Sequence, residues 1–387
     1  MKIIKKTIFS ICSIASIVVL TSCDLRGILK DFIDKVDETK ESYLTSSAQS
    51  ASNPNFSSSQ KHKGVEEDII YDDFQIHFMM LGNDKAGDSI YIKAGDTDVL
   101  IDAGSRKNSS QTTLPYMDEY VKDKKLEYVI MTHGDQDHID AFPNILSQYS
   151  ADNIIYNQYT TKTTMSYKNT LIAFNNQVIL NGASREYKLS DNVTMSILYN
   201  EYYFNTQKDE NNYSVCTMFT YDSGIEKHYF MFTGDLEFDG EEAMANYYDG
   251  STEEKTLPQV DLYKAGHHGS KTSSNECLLS LIKPKMCVVS CCCGTNKYTD
   301  TINNQFPTQA FISRIAKYTD AVYVTSLIAD ENSLSSYQPM NGNVVVSCSN
   351  DDVGLWASNN LIKLKDTDWF NSIITVDGTN RTMRVWR

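Results

Sequence analysis

Residues 131–140, Met-Thr-His-Gly-Asp-Gln-Asp-His-Ile-Asp, constrain this chain more than any other stretch. They place His133, Asp135, Asp137 and His138 within six positions. The preceding Glu127-Tyr128-Val129-Ile130-Met131 is apolar and partly β-branched, which predicts a buried strand. Ile139, Phe142, Ile145 and Leu146 recur at helical spacing, so a helix begins at or near His138 and runs to about residue 149. In extended chain just past a strand, residues i and i+2 point the same way, so His133 and Asp135 reach one point together. Asp137 and His138, at the helix start, turn to a second point nearby. Two adjacent metal positions fed by one loop is the economical reading.

Other strands carry the same kind of tip. Asp98-Val99-Leu100-Ile101-Asp102, paired with 89–93 through a turn at Gly95-Asp96, ends in an acid followed by Ala103-Gly104. An aspartate there suits hydrogen bonding to a ligand loop. Tyr229-Phe230-Met231-Phe232-Thr233-Gly234-Asp235 ends in one carboxylate, and Val260 to Lys264 runs into Gly266-His267-His268-Gly269-Ser270. Four of the chain's seven histidines, His133, His138, His267 and His268, fall in residues 131–140 or 266–270. His77, set among apolar residues 74–81, reads instead as a buried structural histidine. Strand tips of this kind converge on one pocket in an α/β sandwich. Clustered acids and histidines would repel or desolvate one another unless something pairs them.

The N-terminus reads as an export signal. A basic Met1–Lys6 region precedes an apolar stretch from Ile8 to Leu20, too short to span a membrane comfortably. Leu20-Thr21-Ser22-Cys23 resembles the lipobox of bacterial lipoproteins, which implies cleavage before Cys23 and lipid on it. Residues 24–45 carry a weak amphipathic pattern, and residues 46–64, rich in Ser, Asn and Gln, read as a tether. The expected divisions are 1–22 as signal, 23–64 as lipidated N-terminus and linker, 65–348 as the main domain, and 349–387 as a packed appendage holding all three tryptophans. The expected location is extracytoplasmic, lipid-anchored to the cell membrane.

A net charge of −15 argues against non-specific adhesion to nucleic acid, because phosphate binding usually needs a basic face. Past Cys23, seven cysteines remain with no Cys-x-x-Cys pair, so neither a disulfide framework nor a zinc knuckle is signalled. Cys287 to Cys293 reads as a buried strand using cysteine as a small apolar residue.

Taken in order, these residues resemble the metallo-β-lactamase-fold hydrolases: Ile101-Asp102-Ala103-Gly104, Thr132-His133-x-Asp135-x-Asp137-His138, Thr233-Gly234-Asp235, then His267-His268-Gly269-Ser270. The closest branch is the ComEC-type hydrolase domain of competence proteins. Shared with it are Leu81-Gly82, Gly87-Asp88-Ser89-Ile90, Asn212-x-Ser214, Lys264 before the paired histidines, Lys283-Pro284 ahead of a strand ending in Ser290, and Asn296-x-Tyr298. The transport channel of that family has no counterpart, so a DNA-uptake role does not carry over.

The resemblance implies an α/β fold, the four-layer αββα metallo-β-lactamase sandwich, holding one or two divalent ions, Zn or Mn. It implies one metal position built from Asp137, His138, bridging Asp235 and one of His267 or His268. The other would use His133, Asp235 and Asp135. Where the wider family has a histidine this chain has Asp135, as the ComEC branch does, and a carboxylate there favours Mn²⁺ over Zn²⁺. A further histidine ligand of the family has no counterpart, since none lies between His138 and His228. The expected chemistry is phosphodiester hydrolysis by an ion-activated water, with Asp137, His268 and Lys264 as catalytic residues. Asp102, Ser270 and Asn296 are expected to support ligands or substrate. The expected substrates are phosphodiesters, such as extracellular nucleic acid or a cell-wall polymer, with no protein partner inferred. The alternatives are a carbon-ester or lactone hydrolase of the same fold, or a relative that binds without catalysing.

Overall fold

The structure, a computed structural model, describes residues 65–82, 85, 87–104, 109–175, 186–295, 299, 301–329, 336–376, 379–382 and 384–387. The expected signal, Cys23, the tether and Asn296 lie outside the described residues.

The first half of the chain forms β1 (Val65–Glu67), β2 (Phe74–Phe78), β3 (Ile90–Ala94), β4 (Thr97–Ile101), β5 (Lys125–Met131) and β6 (Ser150–Tyr156). The second half gives β7 (Glu186–Lys188), β8 (Val193–Ile197), β9 (Thr217–Asp222), β10 (Lys227–Phe232), β11 (Leu262–Lys264), β12 (Met286–Cys293), β13 (Val322–Ile328) and β14 (Tyr337–Pro339). The chain then returns to the first sheet through β15 (Val344–Ser349) and β16 (Asp352–Ala357). Among the described residues these strands form two large sheets of eight, in the orders β1-β16-β15-β2-β3-β4-β5-β6 and β14-β13-β12-β11-β10-β9-β8-β7.

Alternation assigns each strand's faces. Phe74, Ile76 and Phe78 of β2 and Phe230 and Phe232 of β10 enter one core between the sheets. Each such fully buried ring contributes roughly 1.5–3 kcal/mol. The outer face of the first sheet packs on α1 (Ser110–Tyr120), α2 (Gln136–Ile139), α3 (Phe142–Leu146) and α4 (Met165–Phe174). The outer face of the second packs on α5 (Phe238–Tyr247), α6 (Glu276–Ile282) and α7 (Gln309–Ile315). Helices, sheet, sheet and helices give the expected four layers.

Three details differ from the sequence reading. The single helix expected after His138 is two short ones. Pro143 has no N–H to offer the carbonyl of Ile139, and that carbonyl instead accepts from Thr170 Oγ1 at 3.2 Å. Residues 349–387 are not an appendage beyond a boundary at 348, because β16 lies inside the first sheet between β1 and β15. The rest of that tail, with α8 (Asp368–Asn371), packs Phe370, Trp369 and Trp386 on the outer core of the second sheet, and the Arg384 guanidinium lies 3.4 Å from the Trp369 ring centre. Finally, β1, three residues long, gave no pattern to read.

Every residue of β12 is buried, and the described cysteines are free thiols. Among the described residues no helix is long and apolar enough to cross a membrane. What matters for the site is direction. Strands β4, β5 and β6 run parallel, as do β10, β11, β12 and β13, and the loops that leave β4, β5, β10 and β11 at their C-terminal ends carry the acids and histidines.

Candidate metal centre

The loop after β5 and the loops after β10 and β11 bring their side chains to one carboxylate oxygen, Oδ2 of Asp235. His138 Nε2 lies 3.1 Å from it, His268 Nε2 3.4 Å, His267 Nε2 3.7 Å and His133 Nε2 3.9 Å. His138 Nε2 and His268 Nε2 are 3.2 Å apart, and Asp137 Oδ2 is 3.7 Å from His268 Nε2. Asp135 Oδ2 lies 3.8 Å from His133 Nε2. All seven residues expected as ligands therefore stand in one cluster.

The backs of the rings decide which nitrogen is bare. Asp102 ends β4 in a left-handed conformation, φ 57°, that aims its carboxylate under the next strand. Its Oδ1 accepts from Thr132 N at 2.8 Å. Its Oδ2 accepts from Thr132 Oγ1 and His138 Nδ1, both at 2.7 Å. With its proton given to Asp102, the Thr132 hydroxyl accepts in turn from His133 Nδ1 at 3.0 Å. One carboxylate thus fixes two imidazoles with Nδ1 protonated and Nε2 turned to the centre. His268 Nδ1 donates to the Ser290 carbonyl at 2.9 Å, which does the same for the third ring. The Asp102 carboxylate thus stands behind both rings.

His267 and His268 are held by backbone that such residues seldom adopt. Their φ angles are 44° and 55°, and Gly269 follows at 78°, where a Cβ would come within 2.8 Å of Pro307 Cβ. Left-handed non-glycine residues cost of order 1–3 kcal/mol each and persist where their surroundings over-determine them. Here the turn presents both imidazoles to the same carboxylate.

Burial alone would neutralise every charge in the cluster, yet most partners outweigh it. For Asp235, burial pushes the carboxyl up, but His138, His268 and His267 together hold it well below the usual carboxylate range. Burial lowers His138, and Asp235 and Asp102 raise it well above an ordinary histidine. His267 is likewise raised, because Asp235 and Glu237 overcome burial. His133 goes the other way: burial, helped by the charge on His138, lowers it.

One expectation is corrected. Lys264, expected to be catalytic, is buried beneath the centre. Its ammonium pairs with Asp88, donates to the Gly234 carbonyl at 3.2 Å and lies 3.7 Å from Asp235 Oδ1. Ser270 shares a 3.0 Å hydrogen bond with Thr272 Oγ1, which in turn donates to Glu237 at 2.8 Å.

Three acids escaped the sequence reading. Asp88 groups closely with His138, Asp235 and His268. It nevertheless faces the Nδ1 sides of the two rings, at 3.8 Å and 3.5 Å, so it braces them from behind with Lys264 rather than joining the Nε2 face. Its sequence signal was the run Gly87-Asp88-Ser89-Ile90 shared with the ComEC-type domain. Glu237 accepts from His267 Nδ1 at 3.1 Å, Asn211 Nδ2 at 3.0 Å and Thr272 Oγ1 at 2.8 Å; these bonds, the one to His267 first, outweigh burial and hold it down to about 2. Glu210 is buried and accepts from Gly134 N at 2.9 Å, in the middle of the ligand loop.

The donor set fits a divalent ion. His133 Nε2 and Asp235 Oδ1 are buried and find no hydrogen-bond partner, which is costly for polar atoms unless a cation completes them. Donors that share a tetrahedral ion at about 2.1 Å lie roughly 3.4 Å apart. The spacings around Asp235 Oδ2 bracket that value. Imidazole and carboxylate donors suit Zn, Mn or Fe.

Two eight-stranded sheets between helical layers, with this histidine and aspartate constellation at their strand ends, define the metallo-β-lactamase fold. Residues 82–202 match the family described as the metallo-beta-lactamase superfamily. The chain is similar to Recombination protein 2 of Haemophilus influenzae, 31% identical over 101 residues, which are 26% of this chain and 11% of that protein. It is also similar to ComE operon protein 3 of Bacillus subtilis, 26% identical over 169 residues, 43% of this chain and 20% of that one. The matched segments thus span about a tenth and a fifth of those relatives. Among solved structures, the metallo-beta-lactamase fold protein YhfI of Bacillus subtilis is 12% identical with a TM-score of 0.36, covering 66% of this chain and 97% of that one. The diiron beta-hydroxylase CmlA of Streptomyces venezuelae is 10% identical with a TM-score of 0.36, covering 57% and 45%. Both are distant likenesses.

Proposed function

We propose that this chain is a metal-dependent phosphodiesterase, exported and held at a membrane by lipid on Cys23. The observation that carries the reading is the convergence of four imidazole Nε2 atoms within 3.9 Å of one oxygen of Asp235. One or two divalent ions, when bound there, would supply Lewis acidity toward a phosphoryl oxygen and activate water.

The chain's own groups supply the rest. Asp102 and the Ser290 carbonyl keep the Nε2 atoms of His133, His138 and His268 bare toward the centre. Asp137 and Asp235 add the carboxylates, and Lys264 with Asp88 braces Asp235 from below. His267 is the group suited to proton transfer. It is about a quarter exposed, its pKa is raised first by Asp235 and then by Glu237, and its Nδ1 is fixed on Glu237. A leaving alkoxide at the mouth of the site would take its Nε2 proton.

Carboxylates among the donors suit a hard cation and a phosphoryl substrate. The names of the two curated relatives, a recombination protein and a competence-operon protein, lean toward nucleic acid; a cell-wall phosphodiester is the other substrate of the class. Export and anchoring rest on Met1 to Cys23.

The experiment is hydrolysis of bis(p-nitrophenyl) phosphate by the full chain with Mn²⁺, Zn²⁺ or chelator, beside Asp137→Ala. Metal-dependent turnover lost in the variant is expected. Metal binding with turnover only of carboxylic esters or lactones would refute the phosphodiesterase, and absence of both would leave a binding protein. Palmitate labelling abolished by Cys23→Ser is expected for the anchor; labelling that survives would refute it.

A further inference from the structure

Asp135 has two oxygens with different neighbours. Oδ2 lies 3.8 Å from the unpartnered Nε2 of His133, on the side of the centre. Oδ1 is in direct ion-pair contact with the ammonium of Lys162. Both side chains are a little over a quarter exposed, at the rim.

Lys162 comes from the loop between β6 and α4, and that loop is tied to the ligand loop by a single buried acid. Glu210 Oε1 accepts from Gly134 N, the residue before Asp135, and from Thr160 Oγ1, both at 2.9 Å. Its Oε2 accepts from Thr161 N at 2.5 Å and from Thr161 Oγ1 at 2.8 Å. Thr160 Oγ1 then accepts from Lys162 N at 2.9 Å. There is little room to slacken this clamp, since a Cβ at Gly134 would meet Glu210 Oε1 at 2.6 Å and Lys162 Cγ at 3.1 Å. The meeting of Lys162 with Asp135 is therefore built into the fold.

We propose that Asp135 and Lys162 act as one charge-neutral ligand, Oδ2 offering a single oxygen to the His133 side while Lys162 holds Oδ1 and cancels its charge. The inference rests on the metal-dependent reading above. Its consequence is electrostatic. Without Lys162, a cation beside His133 would face the full charges of both Asp135 and Asp235. With it, the Asp135 position offers what a neutral imidazole offers, and the carboxylate is confined to one-oxygen binding. Lys264 pairs with Asp88 below the centre, a second lysine set on a buried acid beside the cluster.

The test is calorimetric titration of Mn²⁺ into the metal-stripped full chain, with equivalents counted by elemental analysis and folding checked by thermal melts. Removing a like charge a few ångströms from the ion, Lys162→Met should tighten the weaker Mn²⁺ equivalent by about tenfold or more. Lys162→Arg, which keeps the charge, should stay within about threefold of wild type. Asp135→His leaves Lys162 without its carboxylate and should weaken that equivalent by about tenfold, and adding Lys162→Met should restore it. Unchanged or weaker binding in Lys162→Met, or a double variant no better than Asp135→His alone, overturns the proposal. Wild-type protein that binds no Mn²⁺ overturns this and the metal-dependent reading together. Normal Mn²⁺ binding with a flat response to Lys162 overturns this alone.

Discussion

Two histidines, His77 in the first sheet and His138 in the helix that follows β5, are equally buried and behave in opposite ways. His77, in the middle of β2, is walled by the rings of Tyr91, Tyr116 and Tyr120. Its nitrogens meet the Tyr116 hydroxyl at 2.8 Å and Gln75 Oε1 at 2.9 Å, and burial pushes its pKa down to about 3. His138 stands at a strand end between Asp102 and Asp235, whose carboxylates reverse the effect of burial and raise it. Burial sets the cost of a charge in both places. Only at the strand ends do partners repay it.

The comparison breaks most severely at Asp235. Asp235→Asn should cost metal affinity more than the roughly 10- to 100-fold typical of an outer partner, because all four imidazoles face this carboxylate; equilibrium dialysis would measure it. Asp102→Asn should fall within that range of about 10- to 100-fold, since it frees the Nδ1 atoms of His138 and, through Thr132, His133. Imidazole NMR of the metal-free chain should show the His138 pKa falling as well.

His77 sharpens the other side through pH. Its folded pKa of about 3 lies below the ordinary 6.5, so the unfolded chain takes up the proton first. The stability it contributes is complete above 6.5 and is lost as the pH falls toward 3, by about 5 kcal/mol in all. Urea melts across that window should show the slope, and His77→Gln should flatten it. The smallest effect is Tyr116→Phe, which removes one partner of His77 for about 1 kcal/mol, with no change in metal affinity.

Much of this contrast was legible in the chain. His77 sits in an alternating apolar run, which marks a strand interior, while His133, Asp135, Asp137 and His138 crowd a turn just past one. The tips after Asp98–Asp102, Tyr229–Asp235 and Val260–His268 announced themselves the same way. What was not legible came from contacts far apart in sequence. Asp88 meets Lys264, Glu210 meets Gly134, and Lys162 meets Asp135 only when the loops are folded together, and single acids in turns look alike beforehand. The inward turn of Lys264 was hidden for a related reason: a lysine on a three-residue strand gives no sign of which face it takes. The division at residue 348 failed because β16 follows a tight turn that resembles a domain end, although its Val353 and Leu355 reach the central core.

The centre draws its donors from both sheets, and this has a mechanical side. His138 follows β5 of the first sheet and His268 follows β11 of the second, 130 positions later. A cation gripping both would be a removable rivet across the sandwich. Because the unfolded chain lacks the assembled grip, supply of the ion at a thousand times its dissociation constant would add about 4 kcal/mol to stability. The protein's endurance would then rise and fall with the supply of that ion around it.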